Sequence, residues 1–146
     1  MGSVATIESH RQAGKGINVA LWVVQALLAL FFFAAGINHG LRPLAEVANA
    51  APWVTSLPVA LVRFIGVAEL AGALGLVLPA ATRVAPRLTP AAAIGLGLVM
   101  ALAIPFHILR GEAKFIGMHV FVAALALFVA WGRLRRAPIV ARAAGR

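Results

Sequence analysis

Glu69 stands near the middle of the apolar run Val59 to Leu78, with Arg63 closer to its amino end. An ionised carboxylate at the centre of a bilayer costs from a few kcal/mol to more than ~10, so such residues usually face a bundle interior and serve a site. The chemistry on offer is general acid–base work, with Glu69 and His107 as the candidate catalytic pair. Arg63, His39, His119 and Gln25 are the candidate substrate-binding groups, Arg63 being suited to orient a carbonyl or an anion. Three histidines and a glutamate also suit a metal ion. Neither His-x-x-x-His nor Glu-x-x-His spacing occurs, however, so no metal site is expected. Cysteine is absent, which removes disulfides, thiolate nucleophiles and iron–sulfur ligation. A redox role would need a bound cofactor or a partner's chemistry.

The elements that position these groups follow from composition. With 62% hydrophobic residues, 12% charged and a mean hydropathy of +0.97, the chain is too apolar for a soluble domain of 146 residues. Its apolar residues fall into long blocks, and a hydrocarbon core of ~30 Å needs about 20 helical residues. Four segments reach or approach that length: Ile17 to Ile37, Val59 to Leu78, Pro90 to Leu109, and Phe115 to Trp131 with a continuation to Leu134. The blocks are continuous and rich in Ala, Leu and Gly, unlike the short alternating strands of a membrane barrel. The expectation is an all-α, integral membrane four-helix bundle over residues 17–134, flanked by cytoplasmic tails at 1–16 and 135–146. Arg11 and Lys15 before an apolar run, with Ala34-Ala35-Gly36 beyond it, resemble a signal peptide, but the run is too long for one and a retained helix is expected.

The formal charge of +9 belongs to topology more than to nucleic-acid binding. Nine basic residues occupy the two tails and the loop between helices two and three (Arg11, Lys15, Arg83, Arg87, Arg133, Arg135, Arg136, Arg142 and Arg146), against Arg42, Arg63, Arg110 and Lys114 on the other side. That asymmetry predicts both termini in the cytoplasm of a multi-pass cell-membrane protein. Arg133 to Arg136 are placed to meet anionic headgroups. Pro79 is expected to end helix two, Thr89 to cap helix three with Pro90 at its first position, and Arg110 to Lys114 to form a tight turn. In the long outer connection Gly40 to Pro58, Pro43 can open a short interfacial helix with Leu44, Val47, Ala48 and Ala51 on its apolar side. Trp53 suits the interface, and the segment reads as a lid over the outer mouth.

Helical spacing points the polar groups inward. Glu69 shares a face with Gly66, Gly72 and Ala73; His119 lies on the stripe Ala123, Ala126, Ala130; Gln25 and His39 align with Ala29, Phe32 and Gly36. Ala93, Gly97 and Ala101 lead helix three to Pro105, just before His107. Small-residue faces are where helices approach closely in lipid. With cytoplasmic termini, His39, Arg63, His107 and His119 fall in one layer of the outer leaflet. Glu69 lies roughly 9 Å below Arg63 along its helix. The expected site is a polar pocket floored by Glu69 and walled by those four. The plainer alternative is a structural carboxyl tied to Arg63, with histidines hydrogen-bonded at the interface and His39 closing a helix.

The stretch Arg63-Phe-Ile-Gly-Val-Ala-Glu-Leu-Ala-Gly-Ala-Leu-Gly-Leu-Val-Leu-Pro79, then Leu88-Thr-Pro-Ala-Ala, then Met100 to His107 followed by Arg110-Gly-Glu, resembles the DoxX-like family of small four-helix membrane proteins. The first helix is similar too, ending in Ala35-Gly36 with a basic residue three places on; His39 stands where many relatives have lysine. The resemblance covers residues from about 20 to 130. It implies Arg63 and Glu69 as the polar pair of helix two and His107 as the histidine near the end of helix three. It also implies association with membrane quinone oxidoreductases or redox-defence complexes, hence a quinone as cofactor and a redox partner protein. Three classes stay open: a quinone- or lipophile-binding oxidoreductase component, a small membrane enzyme (isomerase, hydrolase or cyclase type) with Glu69 as acid or base, and a non-catalytic scaffold or chaperone. The partners expected are the lipid bilayer, a lipophilic small molecule and another membrane protein, with a homo-oligomer open and no nucleic acid.

Overall fold

The computed structural model describes residues 2–142, with side chains from Gly14 onward. Every regular element is helical: α1 (Gly2–Gly40), α2 (Leu44–Val47), α3 (Val59–Thr82), α4 (Leu88–Leu109) and α5 (Ile116–Trp131). Short 3-10 turns at Pro52–Ser56 and Ala113–Phe115 precede α3 and α5, and a π-helical turn, Gly132–Arg136, follows α5. Four spans are long and apolar enough to cross a membrane: Gly14–Gly40, Val59–Thr82, Leu88–Leu109 and Ala113–Arg136. The molecule is a four-helix membrane bundle. Its outward side chains confirm the solvent it is built for, since Leu30, Phe64, Leu102 and Phe121 are all more than half exposed.

Between helices in lipid the attraction is mainly packing, so close approach decides the architecture. Along the α1–α3 seam, a β-carbon on Gly66 would overlap the backbone of His39 and Gly40, and one on Gly36 would lie 2.8 Å from the carbonyl oxygen of Gly66. The core of Leu28, Phe32, Leu76, Leu96, Met100, Val122 and Val129 fills the bundle, with Ala73, Ala93, Ala126 and Ala130 where there is less room. A second apolar cluster, Val47, Val54 and Val62 with Leu44, Ala48, Ala51, Trp53 and Leu57, fastens the α2 segment and the following 3-10 turn onto the start of α3. The connection Gly40 to Pro58 is thus a packed cap, as the apolar side of its short helix predicts.

Several local expectations are corrected. Helix two does not end at Pro79: α3 continues to Thr82 and closes on Arg83 in a left-handed conformation (φ 59°). A proline there has no N–H for the carbonyl of Gly75 and crowds the turn around it. The neighbouring carbonyl of Leu76 is taken up by α1, whose Gln25 Nε2 donates to it at 2.6 Å. Such support from a facing helix is what lets a proline stay inside a span. Helix three begins at Leu88 with Arg87 in the cap position, so Thr89 is inside the first turn and makes no cap hydrogen bond. Residues 2–16 are helical and continuous with α1, whose membrane-capable span begins at Gly14. Arg133 is 4% exposed and turned into the bundle, not out toward headgroups. Arg146 lies outside the described residues, and Arg11 is described in backbone only.

Candidate functional site

At one end of the bundle, the glycine seam brings the last turn of α1 against α3. His39 Nδ1 lies 2.7 Å from Glu69 Oε2, with Glu69 3% exposed. Arg63 does not contact the carboxylate. Its Nη1 donates to the backbone oxygens of His39, at 3.0 Å, and Arg42, at 2.8 Å. The last carbonyls of a helix lack intrahelical partners and carry partial negative charge, so the guanidinium satisfies the end of α1 on both counts. Arg63 therefore holds the turn that carries His39, and the polar contact of Glu69 crosses to α1.

A second carboxylate–imidazole pair forms between α4 and the turn that follows. Gly111 adopts φ 69°, which reverses the chain so that the Glu112 N–H donates to the His107 carbonyl at 2.9 Å. The same reversal sets Glu112 Oε2 2.7 Å from His107 Nδ1, while Oε1 accepts from Arg110 Nη2 at 2.8 Å. Hydrogen bonds from Arg110 and then His107 hold the Glu112 carboxyl down at about 2, well below the usual carboxylate range. With Glu112 ionised and able only to accept, the His107 ring donates to it from Nδ1, and Nε2 is the ring nitrogen not engaged in this contact. Arg110 also hydrogen-bonds Ser56 Oγ, tying the end of α4 to the capping segment.

His119, on α5, donates from Nδ1 to the Phe115 carbonyl at 2.7 Å, and its ring centroid is 4.7 Å from that of His107. Between the two carboxylate pairs stand aromatic rings. Trp53 from the cap lies edge-on to His39 at 4.9 Å and to Phe106 at 6.3 Å, and Phe106 meets His107 at 5.4 Å. The pocket expected between Glu69, Arg63, His107 and His119 is thus crossed by a row of rings from His39 to His119. Among the described residues, no group of three or more His, Asp or Glu side chains is placed to hold a metal ion.

Residues 23–129 match the profile of the DoxX-like family. The chain belongs to the DoxX-like family. No curated protein and no solved structure matches it significantly. The part of this DoxX-like chain that carries the match includes both carboxylate–imidazole pairs, Arg63, His119 and Trp53, and it stops short of Arg133.

Gln25 stands apart from the rest of the expected set, about 21 Å of helix from His39. Besides Leu76 it engages Arg133, whose Nε donates to Gln25 Oε1 at 2.6 Å and whose Nη1 donates to Asn18 Oδ1 at 2.7 Å. It belongs to a polar knot at the opposite end. Sequence reading missed Glu112 and Phe106 as members of the site and read Trp53 only as an interface residue. The available signal for Glu112 was a histidine five positions upstream across a glycine, a spacing that a left-handed turn converts into a contact.

Proposed function

We propose that this DoxX-like protein is a proton-handling component of a membrane oxidoreductase that binds a lipophilic ring of the quinone class at the His39 end. The observation that carries the reading is the His39–Glu69 pair, a half-buried imidazole on a buried carboxyl at 2.7 Å, beside the indole of Trp53. The rings of Trp53 and Phe106 offer flat apolar surface, and the Nδ1 contacts of His39 and His107 leave each Nε2 for a ligand oxygen. Reducing a quinone to its hydroquinone consumes two electrons and two protons. A chain without cysteine has no thiol couple of its own, so the electrons come from a redox partner protein. What the chain contributes is proton supply, from His39 backed by Glu69 to a ring oxygen docked beside Trp53. The excess of basic residues at the Arg133 end favours cytoplasmic termini, which sets the site toward the opposite aqueous phase.

The test is mass spectrometry of small molecules extracted from the purified protein, with titration of a short-chain benzoquinone followed by tryptophan fluorescence. The expected result is a co-purifying quinone and saturable quenching that Trp53→Leu weakens. No lipophilic ring compound in the extract together with no saturable binding would overturn the reading in favour of a scaffold.

A further inference from the structure

The cap over the His39 end is held at one polar point. Its 3-10 turn, Pro52–Ser56, carries both Trp53, edge-on to His39 at 4.9 Å, and Ser56, whose Oγ accepts from Arg110 Nη1. Among the described residues this is the only hydrogen bond that joins residues 44–57 to the bundle. The others stay within the segment or reach Arg42 and Pro43 at its start. Arg110 is itself fixed: Nη2 donates to Glu112 Oε1 at 2.8 Å, and Glu112 Oε2 is 2.7 Å from His107 Nδ1. Its guanidinium lies 5.5 Å from the centre of the Phe106 ring, which Trp53 meets at 6.3 Å. The second carboxylate–imidazole pair thus positions a catch for the turn, while Val54 packs with Val47 and Val62 on the other side.

The closed turn leaves no place for a ligand ring on the indole side of His39. Inserting a flat ring between two others takes two contacts of about 3.5 Å, roughly 7 Å in all, and His39 and Trp53 are 4.9 Å apart. On another side His39 Nδ1 is taken by Glu69, and the α1 backbone behind it is pressed against Gly66. A ring that docks between His39 and Trp53 therefore needs the turn to lift. The flanks of the cap are anchored independently of it, since Arg63 holds the carbonyls of His39 and Arg42 before it and α3 begins at Val59 after it. Its own hydrogen bonds, Val54 N–H to the Ala51 carbonyl and Thr55 Oγ1 to the Pro52 carbonyl, are local and travel with it.

We propose that the turn Pro52–Ser56 is a gate over His39, latched by Arg110, which opens to admit the ring ligand and closes to shut His39 and Glu69 from water. The purpose of the gate rests on the proposed quinone-class ligand at His39; its motion does not.

The chain has no cysteine, so a single introduced thiol reports opening without interference. Val54→Cys places it on the buried side of the gate, and Val129→Cys places it in the bundle core. Labelling of the full chain in mild detergent by a charged methanethiosulfonate is followed with and without Ser56→Ala, which removes the latch at an exposed residue. Loss of one hydrogen bond from the closed state shifts the closed–open balance about fivefold, so labelling at position 54 should quicken by about that factor while position 129 is unaffected. Asn49→Ala, exposed in the cap but outside the latch, should change neither rate. By stopped-flow fluorescence, a short-chain benzoquinone should associate about fivefold faster with Ser56→Ala than with the wild type. An unchanged rate at position 54 overturns the gate, and so does an equal rise at positions 54 and 129, because Ser56 would then hold the whole fold. Intact binding at an unchanged association rate overturns it as the route of entry. Faster labelling at position 54 alone, with no saturable benzoquinone binding by any form, supports the gate and removes the proposed ligand instead.

Discussion

His39 and Glu69 come from different spans, yet their Nδ1 and Oε2 atoms are 2.7 Å apart across the closest approach of α1 and α3. The contact depends on glycine at position 66, where the two backbones leave no room for a side chain. Packing and chemistry are therefore coupled at this seam, and each can be perturbed separately.

Gly66→Ala should pull α1 and α3 apart, because the added methyl meets the backbone of His39 and Gly40 and no rotamer change can relieve it. Overpacking of this kind costs about 1–3 kcal/mol. The checks are a lower thermal midpoint and loss of quinone binding together. Gly95→Ala, whose methyl would meet nothing within 4 Å, should be neutral or stabilising.

Glu69→Gln keeps the size of the side chain and its ability to hydrogen-bond His39, so the fold should survive while proton transfer is lost. Glu69→Leu leaves His39 Nδ1 facing a methyl group, at a cost of about 1–3 kcal/mol for an unsatisfied buried donor. Thermal unfolding and hydroquinone formation with a supplied reductant separate the two. Equal activity of Glu69→Gln and wild type would remove Glu69 from proton transfer.

Arg63→Ala deprives the end of α1 of two hydrogen bonds, to the carbonyls of His39 and Arg42. The expected loss is about 1–3 kcal/mol, with Arg63→Lys intermediate because an ammonium lacks the planar fork. Hydrogen exchange at residues 37–42 should rise in Arg63→Ala. Unchanged exchange there would mean that Arg63 does not hold this turn.

Acid should weaken the Glu112 contacts in a defined window. Its carboxyl is held at about 2, below the ordinary 4.5, so the folded state binds the proton less readily than the unfolded one. The contribution is complete above about pH 4.5 and disappears as pH falls to about 2. Melting curves between those limits should show a falling midpoint, with a slope reduced in Glu112→Gln.

Four spans place both termini on one side, and the excess of basic residues there predicts that this side is the cytoplasm. Reporters active only in the cytoplasm should give signal from fusions to either end. Signal from neither would invert the protein and turn the His39 site inward.

The sequence by itself determined the membrane class, the four spans and the inward direction of Glu69, His39 and His119. These follow from lengths of apolar run and from the spacing of small residues, which are properties of single helices. The apolar side of the Leu44–Val47 helix, with its proline start, was legible for the same reason. Only the tertiary structure decided the pairings. Glu69 contacts His39 rather than Arg63 because the glycine seam fixes the rotation and offset of α1 against α3, quantities that one helix's periodicity does not contain. Glu112 reaches His107 through a left-handed glycine turn. Arg133, which follows an apolar span and is flanked by exposed basic residues, reads as a headgroup contact until the neighbouring helix is in place. It turns inward because Gln25 and Asn18 on α1 offer two oxygens at its depth, and nothing in the residues around position 133 announces them.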